Sequence, residues 1–564
     1  MKFFTILVII CSFYVETFAQ WNSNPSMNNL LAKKSGQYSF TDGAGGAITT
    51  FFDDSGFVYA QHITKDGALV WGDSTHIKRI VNTPTLLNYT GGFLYYAVVS
   101  DTKGGGYITW SDFSSPPRIR AQHFNATGLP LWGANGIIVP TTASSRSLSP
   151  RICNDTSGGV FISWEETDNS TSRTAKVQHY NSAGTQLIPA LGATFIINPG
   201  FRTNNYIVSD GGNGVIGFFE DTRNDPHGNS YDSTFGYPGY INNYDIYAQR
   251  ITSNGTRLWG NTGKPVCTAP GSQFISVEAL KIASADGKGG AVIAFDDRRK
   301  YPNGYTGGTF DDDIYIQKID SNGNVQWQTN GIALVVDSVD QSLDQISIDQ
   351  FGNTVVDWDD RDSTKYYVKS QRIRPNGDLC WGPNGVFVCI PPRASSGQSV
   401  IQDSTGNSLH GYYETLVSNP NQYGGMVQKL DSLGVRQWGD VGTIFTNAHN
   451  ANPEDINLIN SDSNSVIATW TDERYFGTGL PNGTYASKVL ANGTLAGNPG
   501  FVSINNGNWN NPTTWVGGIV PPANALVFIR SNVTVTANAT CYAMTVYSGA
   551  NVNVATGVTL TVLH

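Results

Sequence analysis

The chain has 564 residues, a formal net charge of −9, 14% charged residues, 12% aromatics and 62 glycines. The acidic balance excludes nucleic acid as a partner, because phosphate binding needs a basic surface. Many glycines and aromatics with few charges exclude a disordered or coiled-coil chain and favour an extracellular all-β protein.

The first element is a leader. MKFFTILVIICSFYVETFAQ has one Lys before an apolar run from Phe3 to Tyr14, then Thr17-Phe18-Ala19 ahead of Gln20. This pattern reads as a secretory signal peptide over residues 1–19 and predicts a secreted protein, extracellular or at the cell surface. No later stretch approaches ~18 consecutive apolar residues, so no transmembrane anchor is expected. Five cysteines follow the leader: Cys153, Cys267, Cys380, Cys389 and Cys541. An odd, scattered set is not a disulfide framework. Cys380 and Cys389 flank a turn and could pair, whereas Cys267 and Cys389 share one repeat position, as a small buried residue would.

From about residue 33 to 504 the chain repeats itself. Eight units contain a short apolar strand ending aromatic-x-acidic, as in GGYITWSD, GAVIAFDD and SVIATWTD. The aromatics are Phe51, Trp110, Trp164, Phe219, Phe295, Trp358, Tyr412 and Trp470. Two residues on stand Asp53, Asp112, Glu166, Asp221, Asp297, Asp360, Glu414 and Asp472. A second strand follows, as in YAQHI, YAQRI and YIQKI, with a Gln in seven units and His, Arg or Lys after it. A Gly turn and usually a Trp close the unit, as in NGTRLWG. Aromatic-to-aromatic spacings of 54 to 76 residues fit four-stranded blades. One blade cannot bury both faces, so the units must stack around an axis. The expected fold is all-β: an eight-bladed β-propeller over residues 20–504, with seven blades as the alternative.

The pattern DGxGGxxxxWxDxR, then DIYAQRI, then NGxxxWGxNGxxV resembles propeller-type repeats of large secreted proteins from Bacteroidetes-like bacteria. SADGKGGAVIAFDDRR and NYDIYAQRITSNGTRLWGNTGKPV carry it best. The sialidase Asp-box is only superficially similar, because Gly255 to Trp259 is one residue too long for it.

Two readings compete for the repeated polar residues. Eight strand-end acids opposite eight cations could form a site. As invariant features they read better as scaffold, satisfying groups that blade stacking would bury. Function is expected where repeats differ, in the loop between the two named strands. That loop is long in unit four (222–244) and unit five (RRKYPNGYTGGTFDD). Tyr231, Tyr237, Tyr240, Tyr301 and Tyr305 there are the candidate ligand contacts, their flat faces suited to stacking on sugars; self-packing of a long loop is the alternative. Asp311 and Asp312 are candidate calcium ligands, although no DxDxDG loop is present. No HExxH, GxSxG or His/Cys cluster marks a catalytic centre.

From 505 to 564 the texture changes to short Val/Thr runs, VFI, VTV, MTV, VNV and LTV, at eight- to eleven-residue intervals. That rhythm predicts a small parallel β-solenoid. Together these features point to a binding or adhesion module recognising a glycan or another surface polymer. An extracellular glycoside hydrolase or polysaccharide lyase is the rival, and a structural spacer the third reading.

Overall fold

The computed structural model describes residues 21–562 apart from 27, 37, 53–55, 83–95, 113, 143–145, 168–172, 190, 198–201, 225–243, 276–280, 302–311, 337–338, 362–364, 391–394, 417–418, 449–451, 475–481, 498–500, 519, 524, 542 and 548. The leader therefore lies outside the described residues. The chain falls into two compact units: Ser23–Ala496, and Gly497–His564 together with Trp21 and Asn22. Among the described residues no helix is long and apolar enough to cross a membrane.

The larger unit is an eight-bladed propeller. Each blade is an antiparallel sheet whose strands follow chain order outward, as in Arg202–Ser209, Val215–Asp221, Asp245–Ile251 and Lys264–Cys267. First strands of consecutive blades lie against one another in an unbroken ring, so they form the innermost layer around an axial channel. The eighth blade departs from chain order. Its outer strand is Asn29–Ala32, paired antiparallel with Gly483–Val489, so the ring is closed by its own N-terminal segment.

Second strands sit between neighbouring blades and are buried on both faces, which explains their near-continuous apolar sequence. Val215–Asp221 and Val466–Asp472 are buried along their whole length. The eight repeat aromatics, Phe51 through Trp470, are all 0% exposed and fill the space between blades. The turn after the first strand requires its paired glycines. Gly158 has φ +86°, and a Cβ on Gly159 would lie 2.3 Å from the Tyr180 carbonyl oxygen.

The smaller unit contains three parallel ladders. Phe501–Val502, Leu526–Ile529 and Ala543–Val546 form one; Gly507–Asn508, Val533–Val535 and Val552–Val554 another; Ala539–Cys541 and Leu560–Val562 the third. Trp509, Trp515, Val527, Ile529, Val533 and Val535 fill its interior. The Val/Thr rhythm thus becomes solenoid coils. All five cysteines are free, with Cys267 and Cys389 buried, so Cys380 and Cys389 do not pair.

Candidate functional site

Most repeated polar residues belong to ladders that fasten the blades. The eight cations do not face the eight strand-end acids. They pair instead with the aspartate that opens each first turn, as in His62–Asp42 (2.8 Å), His179–Asp155 (2.7 Å), Arg250–Asp210 (2.9 Å) and Arg372–Asp349 (2.8 Å). That aspartate also accepts the turn's backbone N–H groups, Ser157 and Gly159 donating to Asp155 at 2.7 and 2.6 Å. The physical reason is position: the cation lies at the turn end of the third strand, far from the acid at the opposite end of the second.

The glutamine is a staple between strand and turn. Gln249 donates to the Gly260 carbonyl (2.7 Å) and accepts from the Trp259 backbone N–H (2.9 Å). The Trp259 indole N–H then donates across to the Ser321 carbonyl of the next blade at 3.2 Å.

Six of the strand-end acids draw their cation from one of two places. Asp112, Glu166 and Asp360 take Arg120 (2.6 Å), Lys176 (2.9 Å) and Lys369 (2.5 Å) from the third strand, two residues before the glutamine. In blades four, five and eight that position is Tyr247, Tyr315 or Tyr485. The cation there comes from two residues beyond the acid: Arg223, Arg299 and Arg474 pair with Asp221, Asp297 and Asp472. Each guanidinium lies over the tyrosine ring at 3.6–3.7 Å. Asp53 lies outside the described residues.

The predicted ligand and metal residues divide. Tyr231, Tyr237, Tyr240, Tyr305 and Asp311 lie outside the described residues. Tyr301 is half-buried, its backbone N–H donating to the Arg298 carbonyl at 2.8 Å. Asp312 is gripped by Arg298 through two bonds, the Nη2 arm at 2.8 Å. Its backbone N–H donates to the Asp340 carboxylate at 3.2 Å. Among the described residues no group of three or more His, Cys, Asp or Glu is arranged to hold a metal ion.

What departs from the repeat is concentrated around the axial channel. The first strand carries a bulge in blades three, four, six, seven and eight, and Asp344 and Asp455 occupy the bulges of blades six and eight. Beside Asp344 lies Asp359, which accepts from the Gly397 backbone N–H (2.8 Å) and the Ser396 hydroxyl (2.7 Å). Burial pushes both carboxyls up; the charges of Asp359 and Asp357 add to the rise at Asp344, whereas Asp359, raised to about 7, is pulled back by the bonds from Gly397, Ser396 and Asp344. Next to them the fully buried His410 faces Asp357 at 2.8 Å. Burial and then Asp312 raise Asp296 well above the carboxylate range, while Asp296 accepts the Leu343 backbone N–H at 3.2 Å. Burial thus disfavours the charged form of each of these carboxyls.

The adjoining arc of the channel, which meets blade six where Lys281 bridges Gln345, is cationic and aromatic. Arg151, Tyr206 and Lys281 lie on the first strands, or at their edge, in blades three, four and five, and Tyr38 begins the first strand of blade one. Sequence reasoning missed both arcs. One signal was present: four consecutive repeats carry two acids in a row, WEE, FED, FDD and WDD. The first acid of the last three clamps the next blade's inner strand, Glu220 accepting the Ile275 N–H at 2.8 Å.

No family model and no curated protein matches the chain. Among solved structures it is similar to an ulvan lyase described as a new polysaccharide lyase family: 9% identity, 83% of this chain and 94% of that one covered, TM-score 0.46. It is also similar to a lectin from Burkholderia pseudomallei, at 12% identity, 72% and 98% coverage and TM-score 0.40. The β-propeller domain of a protease from Pyrococcus furiosus is similar at 11% identity, 74% and 99% coverage and TM-score 0.36.

Proposed function

We propose that this chain is a secreted or cell-surface module that binds carbohydrate or another surface polymer on the face carrying its long loops. One observation carries the reading. Strand ends pair as Asp221 with Asp245 and Asp297 with Asp313, so segments 222–244 and 298–312 leave and return at one face of the propeller. The acid-lined end of the channel lies at this face, since Asp296 precedes Asp297 and Asp340 touches Asp312. A cluster of carboxyls suits a hydroxyl-rich ligand, whose O–H groups donate to them.

A glycan array probed with the wild-type chain, and with residues 222–244 replaced by a short turn, tests this. Binding that is lost with the loop supports the reading; absence of binding to every glycan overturns it. A second reading, glycoside hydrolase or polysaccharide lyase, is favoured by the neighbouring carboxyls Asp344 and Asp359 at the channel wall, both raised by burial. Polymer cleavage by the wild type that disappears in Asp344→Asn, with binding retained, would establish it.

A further inference from the structure

We propose that Arg151 and Lys281, with Tyr206 between them, form an anion subsite in the axial channel for the carboxylate or sulfate group of an acidic glycan. This inference rests on the carbohydrate-binding reading and specifies which class of carbohydrate is held.

The starting point is an exception to the molecule's own rule. Every cation of the eight-fold turn ladder has an aspartate partner. Partly buried cations are paired because an unpaired charge is costly to remove from water. Arg151 and Lys281 are half-buried, yet neither makes an ion pair or side-chain hydrogen bond with any described residue. Arg151 Nε is shut off from solvent and has no acceptor. Lys281 is held below the usual lysine range by burial alone, with no carboxylate contributing.

The two belong to one place. Arg151 Cζ lies 6.0 Å from the Tyr206 ring centroid. The Tyr206 phenol in turn accepts from the backbone N–H of Ile282, the neighbour of Lys281. Arg151 also acts electrostatically on Tyr38, although they come from blades three and one. Arg151 and Tyr206 both lie on first strands, Arg146–Asn154 and Arg202–Ser209, which places the pair in the layer around the channel.

The chemistry of the missing partner follows. A guanidinium offers a planar fork that matches the two oxygens of a carboxylate or sulfate, and an ammonium adds a point charge. Tyrosine faces suit the C–H surface of a sugar ring. Arg151 and Tyr206 lie on the inner strands of blades three and four and Lys281 at the edge of blade five, which places the anion on that arc. A general polyanion surface is excluded by the net charge of −9, so the subsite is local.

Isothermal titration with oligogalacturonate, a sulfated oligosaccharide and a neutral malto-oligosaccharide tests this, on the wild type and on Arg151→Gln, Arg151→Lys and Lys281→Gln. One acidic probe should bind, carboxylated or sulfated according to which group the site takes. Arg151→Gln should weaken it by about ten- to a hundredfold, the loss of one charge-assisted contact. Arg151→Lys should lose less, and affinity should fall with salt. If Arg151→Gln melts early, Arg151→Lys and Lys281→Gln carry the comparison. Binding of the neutral probe alone, or undiminished acidic binding by the folded variants, overturns the subsite and leaves the carbohydrate reading standing. Failure to bind any glycan overturns both.

Discussion

At the residue scale, the decisive question is how this fold keeps charge away from water without leaving it unpaired. Asp297 is 0% exposed, and burial raises its carboxyl while Arg299 pulls it back. Arg299→Ala leaves that carboxylate stranded, with an expected loss of about 3–5 kcal/mol. In urea titrations the loss should be greater at pH 8 than at pH 5, because the stranded carboxyl takes up a proton at the lower pH. Asp455 is the reverse case. Burial, then Glu454, raises it to about 7, and no cation opposes them. A folded value above the unfolded one means stability present at low pH is lost as pH rises from about 4 through 7. Asp455→Asn should therefore stabilise the protein above pH 7, on the order of 2 kcal/mol, and change little near pH 4. Asparagine also tolerates the left-handed φ of 52° at this position. Equal effects at both pH values would refute the assignment.

At the element scale, one blade is a set of strands whose ends are stapled by side chains, and this decides what the sequence could reveal. Gln371 is 0% exposed, donates to the Gly382 carbonyl at 2.6 Å and accepts the Trp381 N–H at 2.9 Å. Gln371→Met keeps the volume and removes these bonds together with the one from the Arg372 backbone N–H at 3.0 Å, so a loss of about 2–3 kcal/mol is expected in chemical denaturation. A variant as stable as wild type would show that the staple is dispensable. Such residues were legible because every blade needs them, and eight copies make the need visible in one chain. Their partners were not. The turn aspartate meets its cation two strands later, and the guanidinium of Arg299 substitutes for Lys369 from a different position. Asp344, Asp455, Arg151 and Lys281 sit on inner strands or at their edge, at positions that vary from blade to blade, so no repeat period records them. The solenoid was legible for the same reason as the blades, since each coil repeats the Val/Thr rung.

At the scale of the whole molecule, a ring of blades is stable only if the last one meets the first. Here Asn29–Ala32, a four-residue strand without the repeat signature, closes the eighth sheet. Its approach is fastened: Asn28 donates to the Phe445 carbonyl at 2.7 Å, and Arg474 donates to Asn28 at 3.0 Å. Leu31 is 1% exposed, so Leu31→Asp places a carboxylate where only apolar contacts exist. The expected cost is about 3 kcal/mol or more, concentrated at the seam. Hydrogen exchange should therefore rise first in Gly483–Val489, which loses its outer partner, while Arg173–Tyr180 in the third blade stays protected. An unpaired Gly483–Val489 edge is also a template for another chain, so the variant should self-associate with rising concentration in light scattering. If protection at Gly483–Val489 and the unfolding midpoint are both unchanged, the N-terminal strand is an accessory rather than the closure. The site depends on the outcome, because the ring of first strands that carries both channel arcs is continuous only while it is shut.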